Sequence, residues 1–329
     1  MSNPLKTLAA VFALVIFLIY VAFESIAPLQ LRSYISTSIE ENCISCEFTI
    51  QKLRIKLFPA RVILEDVHFI MGDAKNTLVD AHVESVLLSI STRMLFKHLL
   101  KIKQVSLTNP MVIVTEGDEK TKHTSSTEST SHWDLEMDHV DLINGQFSYK
   151  REHLQKTGIL QIKNINGTLG EMGSTEMRRD HPVVAHVTAL LEQSGKIDLT
   201  VAPLLFSKEI YVDVSLRITD LNLAETNRFF GPEDGIKING LIKQAQVESS
   251  VRGKKLHSQV TVDYHGLNIK FRKTSERSGL TALITNLFSG VKPVKDRGRA
   301  VTVNRIPEEP LVGFILRGMK EAALKIATD

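Results

Sequence analysis

Few residues in this chain are of a type and spacing that could do chemistry. Cys43 and Cys46 are its only cysteines, written C-x-x-C. A redox role for that spacing needs a thioredoxin-like βαβ context, and here it falls between a helix end and a strand. A four-cysteine zinc site cannot be built from two thiols. A local disulfide, Cys43–Cys46, is favoured outside the cytoplasm, with free thiols as the other reading. Glu65, Asp66 and His68 are ligand types, but neighbours in a strand point to opposite faces, so Glu65 and Asp66 cannot converge. His139 and Asp141 share a strand face and read as a surface polar pair. The chain contains no G-x-S-x-G, Walker loop, H-E-x-x-H or G-x-G-x-x-G; Gly167, Gly170 and Gly173 are spaced by three and do not fit the last of these. We expect no catalytic residue, no metal and no cofactor, and a protein that is not an enzyme.

The elements that would position any site come next. At 329 residues, with 43% hydrophobic and 23% charged residues, the chain is long and apolar enough for a substantial core. Charge is unevenly placed. From Arg252 to Arg305 there are twelve basic and three acidic residues, a local +9, although the whole chain carries only +3. Such a region either seeks phosphates, on lipid or on nucleic acid, or is simply a solvated face. Its aromatics are sparse (Tyr264, Phe271, Phe288), which argues against the stacking platforms of nucleic-acid binding.

Residues 8–23 (LAAVFALVIFLIYVAF) carry no charge. At ~1.5 Å per residue they cover ~24 Å, and extending to residues 5–27, with Lys6 and Glu24 at the ends, spans a bilayer core. Lys6 precedes the segment, which puts the N-terminus in the cytoplasm and the rest outside it. The rival is a cleaved signal peptide, with Ser25-Ile26-Ala27 as its cleavage site; the apolar length favours an uncleaved anchor.

Residues 28–41 read as a short amphipathic helix opened by proline. Beyond it the apolar period changes to two, and about twelve half-buried strands follow. Leu53, Ile55 and Leu57 alternate with basic residues; Val86, Leu88 and Ile90 repeat the pattern. The clearest run is Ile210, Val212, Val214, Leu216 and Ile218, and Ile236, Ile238, Val260 and Val262 continue it. Short helices are expected at residues 94–100, 223–230 and 280–288, and a final amphipathic helix at 308–328. Residues 116–132 contain no apolar side chain and read as a polar linker. Ile143-Asn144-Gly145, Ile165-Asn166-Gly167 and Ile238-Asn239-Gly240 repeat one tripeptide, which suggests tight hairpin turns.

The anchor, the amphipathic helix, LRIKLFPARVILEDV, VSLTNPMVIV and INGQFSY together resemble the AsmA-like family of bacterial envelope proteins. VDVSLRITDLNLAETNRFFGPEDGIKINGLIKQAQVESS resembles its uncharacterised, domain-of-unknown-function branch. The resemblance covers residues 5–292. It implies a mainly β fold: an inner-membrane helix, then an elongated, twisted antiparallel sheet curled into a periplasmic groove, with a few short helices. It also implies phospholipid handling in support of outer-membrane homeostasis. The expected organisation is a cytoplasmic tail (1–7), a transmembrane anchor (8–27), a membrane-proximal helix and first β region (28–115), the polar linker (116–132), a second β region (133–306) and a C-terminal amphipathic helix (307–329). Ile210, Val212, Val214, Leu216, Ile218, Ile236, Ile238, Val260 and Val262 are the lipid-groove candidates, or else they fill a closed core. Lys254, Lys255, Lys270, Arg272 and Lys273 are the candidates for a basic surface facing membrane. Expected partners are phospholipid or another lipid, the inner membrane and other envelope proteins, not nucleic acid. The second functional reading is an envelope scaffold that binds proteins through a sheet edge or the last helix.

Overall fold

The computed structural model describes residues 28, 30, 32, 33, 37, 43, 46–56, 58–72, 77–91, 99–116, 134–153, 156–173, 181–205, 207, 209–234, 236–271, 297–306 and 311–328. The expected anchor, the helix at 280–288, Arg272 and Lys273 lie outside these residues. Among the described residues no helix is long and apolar enough to cross a membrane. Pro28, Gln30, Arg32, Ser33 and Thr37 are helical, and Cys43 is disulfide-bonded to Cys46.

Fourteen strands form one sheet. They are β1 (Cys46–Lys56), β2 (Arg61–Gly72), β3 (Thr77–Ile90), β4 (Leu99–Glu116), β5 (Asp134–Met137), β6 (Val140–His153), β7 (Lys156–Leu169), β8 (Met172–Gly173), β9 (Ala185–Leu191), β10 (Gly195–Pro203), β11 (Tyr211–Asn222), β12 (Ile236–Arg252), β13 (Lys255–Phe271) and β14 (Arg297–Asn304). The main path runs β1-β2-β3-β4-β6-β7-β9-β10-β11-β12-β13-β14, with β5 and β8 to one side. Twelve strands at ~4.8 Å make a sheet about 50 Å wide. A 3₁₀ turn (Leu223–Thr226) leads into helix α1 (Asn227–Asp234), and α2 (Leu311–Thr328) follows β14.

The sheet is mixed, not antiparallel throughout as expected. β4 pairs in parallel with β5 and then with β6, from Leu99↔Asp134 to Glu116↔Arg151. Parallel neighbours need a crossover of a dozen or more residues, and the polar stretch after Glu116 is long enough to make one. One sheet therefore runs through both expected β regions. Leu99 and Leu100, expected in a short helix, open β4 instead. Residues 94–98 of that helix lie outside the described set.

The Ile-Asn-Gly repeats are not hairpin turns. All three lie inside strands, in β6, β7 and β12. Asp66, Asn109, Asn144 and Asn164, in β2, β4, β6 and β7, have φ of 52°, 48°, 54° and 51°. The left-handed region is tolerated by Asn and Asp and disfavoured for β-branched residues. The consequence is a phase change along each strand. The step shows in β2 between Val62 and Leu64 and then Val67 and Phe69, in β4 between Val105 and Leu107 and then Pro110, Val112 and Val114, and in β6 between Val140 and Leu142 and then Phe147 and Tyr149. Strict alternation would put the two halves on opposite faces. Instead Ile50, Leu53 and Val67 share one buried cluster, against which Val62, Leu64, Val83 and Val86 pack.

The cross-strand register puts these breaks side by side. Side chains tie them across the sheet: Asn109 donates to Glu84, Asn144 Nδ2 donates to Asn109 Oδ1 (2.7 Å), the Asn144 N–H donates to Asn166 Oδ1 (2.9 Å), and Asn166 Nδ2 donates to the Asn164 carbonyl (3.0 Å). Asn144→Val places a β-branched residue at positive φ and removes the side-chain bond to Asn109. We expect a loss of about 2–3 kcal/mol in denaturant unfolding. Asn144→Gly keeps the backbone and should lose about 1 kcal/mol; equal losses would refute the conformational argument.

Candidate functional site

The phase-corrected strands build one apolar face. Its central row follows direct cross-strand partners: Leu53–Leu64–Val86–Leu107–Leu142–Gly167–Val187–Leu199–Leu216–Val247–Val260. A second row runs beside it: Ile55–Val62–Leu88–Val105–Val140–Leu169–Ala185–Val201–Val214. From β10 to β13 the opposite face is polar, along the line Asp198, Arg217, Gln246, Thr261.

Two helices occupy parts of the apolar face. Helix α2 lies over β12, β13 and β14. Phe314 and Ala322 are fully buried there, in a cluster with Val212, Val214, Val251, Leu256, Val260, Val301 and Val303. At Gly318 the helix comes so close that an added Cβ would lie 2.1 Å from Leu256 Cδ2. Arg317 Nη2 donates to the Asn304 carbonyl (2.8 Å) and fixes the helix to β14.

Helix α1 fills a notch. The β9–β10 hairpin turns at residues 191–195, opposite Ile162, while β7 starts six residues further out, at Lys156. Main-chain groups beside that short hairpin are satisfied by side chains. Gln161 donates its N–H to Glu192 Oε1 (2.9 Å), and the Glu192 N–H returns to the Gln161 carbonyl (2.8 Å). Glu225 Oε2 accepts from the N–H groups of Gln193 (3.0 Å) and Ser194 (3.1 Å). Asn227 bonds both main-chain groups of Ile238 (2.8 and 2.6 Å). Phe229 sits 5.7 Å from the Tyr149 ring and beneath the Arg151 guanidinium (4.9 Å). Gly158 makes room for it, since a Cβ there would lie 2.5 Å from the Phe229 carbonyl oxygen.

Among the described elements, these helices and the 3₁₀ turn make their main contacts with β6, β7 and β12–β14, and Arg32, in the helical residues before Cys43, reaches β1 at the Gln51 carbonyl. Along the centre of the face, Val105, Leu107, Val140, Leu142, Val187 and Leu199 remain only half-buried.

The groove candidates divide accordingly. Val212, Val214, Leu216 and Ile218 of β11 face the same way as Val260 and Val262 of β13, through Val251, Ser249, Val247 and Ala245 of β12. Val212, Val214 and Val260 are buried beneath α2, with Ile210 and Val262 packed against the cluster. Ile238 is buried with Leu221 and Leu223, and Ile218 packs there. Ile236 pairs with Phe271 at the far end of β12. Val212 and Val214 of β11 are closed over by the α2 cluster, whereas Leu216 is only half-buried.

The described basic candidates do not gather. Lys254 and Lys255 lie at the β12–β13 turn, where Gly253 has φ 58°, whereas Lys270 lies at the other end of β13 beside Lys237. Fifteen residues of strand separate them by about 50 Å.

Polar chemistry is confined to the other face. His68 Nε2 meets Asp80 Oδ1 at 2.7 Å and His139 Nε2 meets Asp141 Oδ1 at 2.7 Å. His82–Asp66 and His186–Asp198 are wider pairs, both at 3.7 Å. Among the described residues no three His, Cys, Asp or Glu are placed to hold a metal ion. A hydrogen bond from Arg54 holds the Glu65 carboxyl below its ordinary range, and one from Arg252 does the same for Asp213. Glu209 accepts from the Tyr211 hydroxyl and raises it. The Arg54–Glu65 and Arg252–Asp213 pairs brace neighbouring strands.

No protein-family model matches the chain and no curated protein matches it.

The packing beneath α2 has a direct test. Val214→Asp puts a carboxylate without a partner into the closed cluster and should destabilise by about 3–5 kcal/mol. Ser215→Asp, on the wet face, should change stability by under about 0.5 kcal/mol. Thermal melts of both variants check this, and a mild Val214→Asp would show that the cluster is open to water.

Proposed function

We propose that this chain is an AsmA-like envelope protein, anchored in the inner membrane with its body in the periplasm. It handles or transports phospholipid along the apolar face of its sheet, curled into a groove, in support of outer-membrane homeostasis. The observation that carries this reading is the uncovered centre of that face. Leu107 and Leu142, and beyond Gly167 also Val187 and Leu199, stand in one cross-strand row and are only half-buried. Exposed apolar patches of this extent mark binding surfaces.

The energetics suit an acyl chain. Burial contributes ~0.8 kcal/mol per CH₂, so a sixteen-carbon chain loses ~13 kcal/mol on entering water and recovers much of it against a continuous aliphatic surface. The middle of the face offers aliphatic side chains, which hold an acyl chain without fixing its position. The helices suit the same role. They close the β12–β14 end and the notch, and leave the middle free.

An envelope scaffold would use other features. The apolar side of α2 is spent inside the molecule, on Leu256 and its neighbours. That leaves the outer edges of β1 and β14 for a protein partner.

Native mass spectrometry of the full chain released from detergent tests the proposal. Wild-type protein should carry phospholipid. Leu142→Asp should lower the loaded fraction at least fivefold and shift the melting temperature little, because its carboxylate stays hydrated at a half-exposed site. Absence of phospholipid on wild-type protein, or equal loading of the variant, would refute it.

A further inference from the structure

The most exposed large apolar side chain among the described residues is Phe58, at 94%; the next is Ile306, at 54%. Phe58 sits at the tip of the turn between β1 and β2 and packs on nothing. Lys56, Arg61 and Lys103 surround that tip. All three are exposed, and among the described residues none has a carboxylate partner. A cavity of about 820 Å³ opens beside the tip, lined by Phe58, Arg61, Ser89, Lys103, Gln104 and His139. Asp141 is engaged by Gln104 Nε2 (2.8 Å) and His139 Nε2 (2.7 Å), both of which line that cavity.

From this arrangement we infer that the β1–β2 tip docks on a bilayer of anionic phospholipid, with Phe58 in the interface and Lys56, Arg61 and Lys103 on headgroup phosphates. A protruding aromatic ringed by unpaired cations is what a headgroup layer accommodates: the ring enters the acyl boundary and the cations gain from the negative surface potential. The path of the chain leads the same way. Cys43 is tied to Cys46 at the start of β1, and Arg32 Nη1 donates to the Gln51 carbonyl (3.1 Å), halfway along that strand. Cys43 is thus fixed at one end of β1 and Arg32 reaches its middle, on the side of the Phe58 tip, and the apolar segment at residues 8–23 precedes both in the sequence. A body tethered by that segment presents the β1–β2 tip to the membrane.

The inference shares the membrane setting of the proposed function but not its lipid transfer. Loss of lipid loading at the apolar face would leave the docking unchanged. The test uses the full chain in phosphatidylcholine vesicles, with and without phosphatidylglycerol, whose acyl chains are brominated to quench nearby tryptophan. The single native tryptophan is removed by Trp133→Phe. A reporter is then placed by Phe58→Trp, or by Met71→Trp at the opposite end of β2. We expect at least twofold quenching at the first position and none at the second. Adding Lys56→Glu and Arg61→Glu should at least halve the quenching in phosphatidylglycerol vesicles and leave it unchanged in phosphatidylcholine alone. An unquenched Phe58→Trp, or equal quenching at both ends, overturns the docking. Quenching indifferent to charge reversal overturns the headgroup contacts.

Discussion

Left-handed backbone at Asp66, Asn109, Asn144 and Asn164 is the constraint on which the rest of the molecule rests. A strand alternates faces with a period of two, and a single left-handed residue shifts that alternation by one. A shift in one strand would drive its apolar half to the wrong side. Here neighbouring strands shift at the same level, so Leu64 and Val67 face the same way, as do Leu107 and Pro110. The Asn109–Asn144–Asn166 bonds hold the breaks in register. Asn and Asp are the residue types that tolerate this conformation and can also bridge to the next strand, so one residue choice meets both needs.

Once the face is continuous, its fate depends on what covers it. A sheet that does not close on itself leaves each face to be covered by something else, and here helices cover part of one. Helix α2 does this by close approach, with Gly318 against Leu256, and α1 by filling the space that the short β9–β10 hairpin leaves. Side-chain carboxylates and amides (Glu192, Glu225, Asn227) stand in for missing strand partners at that notch, since main-chain groups left without bonds there would be costly. The centre of the face receives no such cover among the described elements. Its half-exposed aliphatic row distinguishes this sheet from the sealed core of a sandwich.

Much of the architecture was legible in the sequence. Val212 to Ile218 alternates without interruption and is a strand in the structure, and the amphipathic pattern near the C-terminus marks α2. The Asn-Gly tripeptides were misleading because the same left-handed preference serves hairpins and in-strand breaks, and only the cross-strand register tells them apart. The parity change was itself readable, as the step from Leu64 to Val67 or Leu142 to Phe147, although without the fold it looks like two short strands. The parallel pairing of β4 could not be read, since a polar stretch closes a crossover or a loop equally well. The Phe229 notch was missed for a similar reason: Glu192, Glu225 and Asn227 are ordinary polar residues in a list, and become seals only where the short hairpin places them. The closed packing of Val214 follows from where α2 docks, a long-range contact that periodicity does not encode.

The central claim is that lipid occupies the uncovered middle of the apolar face, and site-specific photocrosslinking in intact cells tests it most directly. A photoreactive phenylalanine analogue at Leu107 faces that row, and one at the adjacent Ser106 faces the polar side. The account predicts phospholipid adducts at Leu107 and not at Ser106. Adducts at both positions alike, or protein adducts without lipid at Leu107, would contradict it.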